Sequence, residues 1–299
     1  MIAIVTGASS GIGYEVSAQL RDAGYTVYGI SRREVAPEGV TALCADVSDE
    51  AAIRAAVDEV ARREGRIDLL CANAGMGISG PVEFASPEAT HKIMNVNFFG
   101  QVYAAQSVLP YMRKQRSGTI VFTSSVAAPI AIPYQAFYSA SKSAINSVAL
   151  ALRNEVRDYG IRISVVMPGD SSTGFTDARE KQHQSSSAAS TDAKAIDTAA
   201  ATAQSTAATA QSTAATAQSA AAGATAESAY PRCDSAVASM ERDERGGIPP
   251  AKVAAVIVRA ARRKNPAPLY VAGFKYRLLL GLYNLLPARA AVWLVGKFY

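Results

Sequence analysis

The chain has 299 residues, 49% of them hydrophobic and 18% charged, with a net charge of +5. That length suits one large α/β domain or two small ones, and the composition argues against wholesale disorder. Three cysteines, Cys44, Cys71 and Cys233, are odd in number and lack metal-ligand spacing, so neither a disulfide framework nor a metal site is expected.

Cys44 and Cys71 lie in apolar strand-like runs and are expected as buried free thiols, which fits a reducing compartment. Met1 leads directly into IAIVTG with no basic-then-apolar leader, so no secretory signal is expected and the predicted location is cytoplasmic. The charge is uneven. Residues 246–299 hold no Asp or Glu but nine Lys and Arg, which leaves a sum of −4 for the first 245 residues. Aromatic stacking motifs and nucleic-acid-binding modules are absent, so no nucleic-acid partner is expected. The basic, apolar stretch 274–299 has no apolar run long enough to span a bilayer. It reads instead as amphipathic helices on an anionic membrane surface, with a C-terminal lid or an oligomer contact as the equal alternative. A homo-oligomer, dimer or tetramer, is expected.

In chain order, IAIVT, YTVYGIS, TALCA, IDLLCAN, GTIVFTS and IRISVVM are predicted strands. Between them GYEVSAQLRDAG, DEAAIRAAVDEVARREG, GQVYAAQSVLPYMRKQ and FYSASKSAINSVALALRNEVRDYG are predicted helices. Continuous apolar strands separated by helices predict a doubly wound, Rossmann-type parallel sheet with helices on both faces. After Thr173 the pattern breaks. Residues 185–229 are almost wholly Ala, Ser, Thr and Gln, and STAATAQ occurs at 205–211 and again at 212–218. Too poor in apolar surface to offset ordering, this tract is expected to be a mobile or weakly helical insertion without catalytic residues. Near Tyr230 ordinary composition resumes, with a helix AKVAAVIVRAARRK and a short LYVAG. The expectation is a single domain, residues 1–299, carrying one insertion.

TGASSGIG follows the first strand and opens a helix. Gly7 permits a tight turn, and Gly11 and Gly13 permit close approach of a pyrophosphate and of helix to sheet. Backbone N–H groups at such a helix start, together with the helix dipole, hold phosphates.

The spacing G-x-x-x-G-x-G, with NAG at 73–75, Y-x-x-x-K at 138–142 and PG at 168–169, resembles the short-chain dehydrogenase/reductase family over residues 1–175. The resemblance implies hydride transfer between a nicotinamide cofactor and a ketone or secondary alcohol. It implies cofactor contacts from Gly7, Ser9, Ser10, Gly11, Ile12 and Gly13, and from Asp46 and Val47 at the adenine. It also implies contacts from Asn73, Ala74 and Gly75 behind the cofactor, and from Pro168, Gly169 and Thr173 near the nicotinamide. Ser31 stands where NAD-using members carry an acid. A hydroxyl followed by Arg32 suits a 2′-phosphate, so NADP(H) is expected over NAD(H).

The catalytic set implied is Asn97, Ser125, Tyr138 and Lys142. Tyrosine titrates near 10, too high for an efficient base at neutrality. The ammonium of Lys142 one turn on is expected to lower that value and to reach the nicotinamide ribose. Ser125 is expected to bind the substrate oxygen, Ser124 to be a strand-end residue, and Asn97 to hold a water beside the lysine. Met76, Ile78, Ile130, Ile132, Tyr134 and Phe175 are candidate pocket residues for a hydrophobic steroid, retinoid or lipid-like substrate, though ordinary core reads equally well. The alternatives are a 3-oxoacyl-thioester reductase and a non-catalytic NADP(H)-binding scaffold.

Overall fold

The computed structural model describes residues 1–182 and 229–298. The low-complexity tract, Ala229 excepted, lies outside the described residues. Every predicted strand forms. β1 (Ile2–Thr6), β2 (Thr26–Ser31), β3 (Thr41–Cys44), β4 (Leu69–Ala72), β6 (Gly118–Thr123), β7 (Ile161–Pro168) and β9 (Leu269–Ala272) build one sheet in the order β3-β2-β1-β4-β6-β7-β9. All its neighbours pair in parallel. The strand order reverses between β1 and β4, and the carboxyl ends of those two strands open the crevice that doubly wound sheets use for ligands.

Alternation along the strands sends side chains to both faces. Ile4, Ile30, Leu70, Ile120 and Phe122 pack beneath α2 (Glu50–Glu64), α4 (Gly100–Gln115) and α5 (Ala136–Glu155). Ala3, Val5, Val27, Cys71 and Val121 face α1 (Gly11–Asp22) and α7 (Pro250–Arg262). With both faces covered, the strands need continuous apolar runs, which is why they were readable as such.

Several elements were not anticipated. α3 (Pro87–Met94) starts at a Ser86 cap that accepts from the Ala89 N–H, followed by Pro87 at the first helical position. A π-helical turn, Asn95–Phe99, joins α3 to α4. A small parallel pair, β5 (Ile78–Ser79) with β8 (Glu180–Lys181), ties the segment after β7 to the segment after β4. Finally α6 (Cys233–Arg245) forms from a largely polar sequence by burying Cys233, Ala236, Val237 and Met240 against Ile132, Tyr134 and Tyr230. The C-terminal stretch forms α8 (Phe274–Tyr283) and α9 (Ala288–Phe298).

One expectation fails. Cys71 and Cys233 are buried, but Cys44 is exposed, because β3 is the edge strand and lacks a covering element at its end. Its Sγ lies 3.5 Å from the Arg32 carbonyl oxygen.

Across the switch point, β1 and β4 are latched by one side chain. The fully buried Thr6 hydroxyl accepts from the N–H groups of Asn73 (3.0 Å) and Ala74 (3.1 Å). Thr6→Val keeps the shape and removes the acceptor. Two N–H groups then lose their partner, at an expected cost of about 1–3 kcal/mol. Urea denaturation of the variant measures this, and an unchanged midpoint would show that the latch contributes nothing.

Candidate active site

The glycine turn is held by sterics on three sides. Gly7 and Gly11 adopt φ of 71° and 55°, conformations that L side chains rarely take. A Cβ on Gly13 would stand 2.2 Å from the Gly7 carbonyl oxygen and 2.7 Å from Asn73 Nδ2. Asn73 thus closes under the turn, where its Nδ2 donates to the Thr6 carbonyl at 3.3 Å. Ser10 is the N-cap of α1, yet its side chain makes no capping bond. The first N–H groups of α1 therefore meet no side-chain acceptor from Ser10, as an anion site at a helix start requires. Ile12 packs against the α1/α7 core, and Thr173 lies 3.4 Å from where a Gly11 Cβ would be.

Beside this turn, the Ser31 hydroxyl is engaged with the backbone of Arg33, donating to its carbonyl and accepting from its N–H. The guanidinium that folds onto the glycine turn belongs to Arg33, whose Nη2 donates to Ser9 Oγ at 3.0 Å. The sequence pattern had singled out Arg32. Two consecutive arginines after a strand point to opposite sides, and only the structure decides which one turns inward. Arg32 instead faces Asp46. Burial alone would raise the Asp46 carboxyl, but hydrogen bonds from Ser48 and the Arg32 charge hold it below its usual value. Asp46 Oδ1 accepts from the Ser48 N–H and hydroxyl at 2.9 and 2.7 Å, and Val47 packs on Gly100.

Asn97, Ser125, Tyr138 and Lys142 converge on the crevice mouth. A Cβ on Gly75 would lie 3.3 Å from both Asn97 Oδ1 and Lys142 Nζ, so the glycine lets these two side chains approach the β4 loop. Lys142 is buried, and its Nζ donates to the Thr123 carbonyl at 3.1 Å and stands 5.8 Å from the centre of the Tyr138 ring. Asn97 is fixed on both polar atoms. Oδ1 accepts from the Met76 N–H at 2.7 Å, while Nδ2 donates to the Met76 carbonyl at 2.9 Å and to Ser141 Oγ at 3.1 Å. Ser141 in turn donates to the Tyr138 carbonyl at 2.7 Å. Ser124 donates to the Lys142 carbonyl at 3.0 Å, a structural role as expected. Ser125 accepts from the Ala127 N–H at 3.1 Å, and its hydroxyl is near enough to the Tyr138 phenol to favour the ionised form.

The profile of the family described as short chain dehydrogenase matches residues 1–184. The chain belongs to the short-chain dehydrogenase/reductase family. It is 46% identical over 179 residues to a 3-ketodihydrosphingosine reductase of Bacteroides thetaiotaomicron, a match covering 60% of this chain and 66% of that one. It is 33% identical over 189 residues to an NADPH-dependent 1-acyldihydroxyacetone phosphate reductase of Saccharomyces cerevisiae, covering 60% and 63%. The chain thus matches less than two thirds of the length of these curated relatives. A crystal structure of a short-chain dehydrogenase from Streptomyces avermitilis superposes over 98% of this chain and 96% of its own, with TM-score 0.75 and 24% identity, which shows the shared fold.

For a member of this family, the ionisation of the central pair differs from the sequence expectation. Burial pushes the Tyr138 phenol up to about 12, opposed by the nearby Ser125 hydroxyl. Burial also brings the Lys142 ammonium down to about 8. The lysine was expected to depress the tyrosine. In this structure burial is the largest influence on both groups, and each side chain is moved toward its neutral form.

The candidate pocket residues divide. Ile130 belongs to the main core, and Ile78 packs with Ala89 and Ile93, with Met76 beside them. Ile132 and Tyr134 pack on α6. Phe175 lies against Tyr138, with ring centres 5.7 Å apart. Pro168 ends β7, and its carbonyl accepts from the Val126 N–H at 2.9 Å. Next to it, a Cβ on Gly169 would strike the Tyr276 ring at 2.2 Å, and the Tyr276 hydroxyl donates to Asp170. That contact with α8, and the roles of Thr6, Arg33 and Ser141, were missed because each joins residues far apart in sequence.

Proposed function

We propose that this chain transfers hydride between NADP(H) and a ketone or secondary alcohol on a hydrophobic, lipid-like substrate. The observation that carries the reading is the convergence of Asn97, Ser125, Tyr138 and Lys142 at the end of a crevice that begins at an uncapped helix N-terminus. The names of both curated relatives describe a keto or dihydroxyacetone compound with a lipid character, which supports a lipid substrate over a small polar one. The same reading is favoured over a 3-oxoacyl-thioester reductase on that ground, and over a scaffold because the proton-transfer residues are complete.

The glycine turn and α1 fit a nicotinamide dinucleotide. Gly7, Ser9, Ser10, Gly11, Ile12 and Gly13 would take its pyrophosphate, Ser31, Arg32 and Arg33 its 2′-phosphate, and Asp46 and Val47 its adenine. Asn73, Ala74, Gly75, Pro168, Gly169 and Thr173 would line its nicotinamide half. When bound, the nicotinamide supplies or accepts the hydride. The remaining chemistry is a proton at the substrate oxygen. Ser125 holds that oxygen beside the Tyr138 phenol. With its pKa raised, Tyr138 stands protonated at neutral pH, the form needed to donate during ketone reduction. Lys142, positive below about 8, stabilises the phenolate that donation leaves behind. Asn97 and Ser141 fix the lysine's surroundings and the start of α5.

Tyr138→Phe removes the donor without touching the glycine turn. Ketone reduction is expected to fall roughly 100-fold to 10,000-fold. NADPH affinity should stay near that of the wild type. In the wild type, kcat/KM for reduction should hold below about pH 8 and decline above it, as Lys142 loses its proton. Near-normal turnover in the variant, or a rate that rises through pH 8, would falsify the mechanism.

The preference for NADPH over NADH rests on Arg32 and Arg33. Each alanine variant should lose roughly 1.5–3 kcal/mol of NADPH binding with little effect on NADH, the worth of a charge-assisted hydrogen bond to phosphate. Fluorescence titration with both cofactors checks this, and equal affinities in the wild type would remove the basis of the preference.

The third element of the proposal is a cytoplasmic enzyme that rests on a membrane surface. No helix among the described residues is long and apolar enough to cross a bilayer. α8, α9 and the turn between them nevertheless expose Phe274, Leu278, Leu282, Leu285, Val292 and Trp293. Lys275, Arg277, Arg289 and Lys297 lie among them, and Lys297 sits over the Trp293 ring. Apolar area edged with cations suits the anionic interface. Co-sedimentation with anionic vesicles should be strong at low salt and weaker at high salt. Absence of binding at either salt would leave the exposed face to an oligomer contact.

A further inference from the structure

The segment that follows β7 is gripped by an aromatic ring from the far end of the chain. Tyr276, the third residue of α8, is buried, and its ring fills the place where a side chain on Gly169 would stand. A Cβ there would meet three atoms of that ring at 2.2, 2.2 and 2.4 Å, well inside contact distance. Gly169 has no positive φ, so its backbone is open to any residue. The ring, and not the backbone, makes glycine necessary. A second glycine, Gly273, also borders the ring, and a Cβ on it would lie 3.0 Å from Tyr276 Cδ2. The Tyr276 hydroxyl donates to Asp170 Oδ2. Burial and the Asp170 carboxylate both push this phenol well up, so it stays protonated and keeps donating.

Position gives this grip its meaning. Residues 168–173 run from the end of β7 toward the glycine turn, where Thr173 stands 3.4 Å from a Cβ on Gly11. The charge of Asp170, in the same segment, acts on the Tyr138 phenol. Main-chain bonds hold the segment on either side of Gly169. The Pro168 carbonyl accepts from the Val126 N–H at 2.9 Å, and the Asp170 carbonyl accepts from the Ile248 N–H at 2.8 Å. The Ser172 N–H donates to the Ile248 carbonyl at 3.1 Å. Gly169 lies between these anchors, and what presses on it is the Tyr276 ring. Tyr276 falls outside residues 1–184, the part matched by the family profile.

We propose that Tyr276 is a positioning residue: its ring sets where the Gly169 backbone lies, and through it the fit of the nicotinamide half of the cofactor. This rests on the cofactor reading above and adds to it a residue of α8 that acts through Gly169. Without the ring, the Gly169 backbone has nothing to rest against. A gap of about 0.5–1 Å already forfeits a quarter to a half of a dispersion contact, so a small shift is felt by a ring bound against that backbone. The adenosine half, taken by the glycine turn and the end of β2, lies beyond this influence. Glycine at 169 answers to α8 and not to the cofactor, so an alanine there becomes acceptable once the ring is removed.

The test compares two ligands by calorimetry on the full chain. One is NADP+. The other is adenosine 2′,5′-bisphosphate, which has the adenine, ribose and 2′-phosphate but no nicotinamide. If the wild type prefers the unphosphorylated cofactor, NAD+ and AMP form the same pair. Y276A should weaken NADP+ roughly tenfold and leave the bisphosphate within about twofold. Y276F keeps the ring and should recover most of the NADP+ affinity. G169A sets a methyl group against the ring and should weaken NADP+ by roughly tenfold or more. Adding Y276A to G169A should then restore affinity, where independent sites would add their losses. Thermal denaturation checks the fold of each variant. If G169A does not fold, recovery of folding in the G169A/Y276A protein reads the same coupling. Equal weakening of both ligands by Y276A, unchanged NADP+ binding, a Y276F as weak as Y276A, or additive losses in the double variant would each overturn the proposal. A wild type that binds neither NADP+ nor NAD+ would instead count against the proposed function.

Discussion

The site is organised around the burial of one ammonium group. Lys142 is enclosed at the carboxyl edge of the sheet, with the Thr123 carbonyl as acceptor for its Nζ. A buried charge must be met by oriented dipoles, and the surrounding backbone is shaped to that end. Gly75 has no side chain because one would crowd the ammonium and Asn97. The π-helical turn at Asn95–Phe99 turns Asn97 inward, and the Asn97 amide then joins the loop after β4 to Ser141 on α5. The lysine therefore sets the spacing between β4, β6 and α5, and through them the position of Tyr138.

A second constraint lies at the reversal of strand order. Thr6 and Asn73 tie the ends of β1 and β4 together beneath the glycine turn. The helix start that would hold phosphates and the loop that approaches the lysine consequently move as one piece. Hydride transfer depends on placement at the scale of an ångström, so a rigid link between the two halves of the crevice has a direct chemical purpose.

The opposite side of Tyr138 is built differently. There the covering elements, β8 and α6, are held by ion pairs together with a small apolar cluster separate from the main core. These elements flank the low-complexity tract. One wall is fixed by the sheet and the other by segments attached after β7, so the two can vary separately.

The sequence by itself determined the seven strands, the two-sided helical cover and the glycine turn, and it singled out the four residues proposed for proton transfer. These depend on local periodicity and fixed spacings, such as Tyr138 and Lys142 one helical turn apart, which follow from backbone geometry alone. Its failures share a cause. Cys44 reads as buried because an apolar strand does not announce that it is the sheet's edge. Two adjacent arginines do not reveal that Arg33 turns toward Ser9. Lys142 was expected to acidify Tyr138, but the balance between attraction and desolvation depends on how much protein surrounds them both. Only tertiary structure decided these points, along with the Thr6 latch, the Tyr276 ring on Gly169 and the pairing of Arg179 with Glu244 across 65 residues. Burial and the partners of polar atoms are set by segments distant in the chain, and no local pattern encodes them.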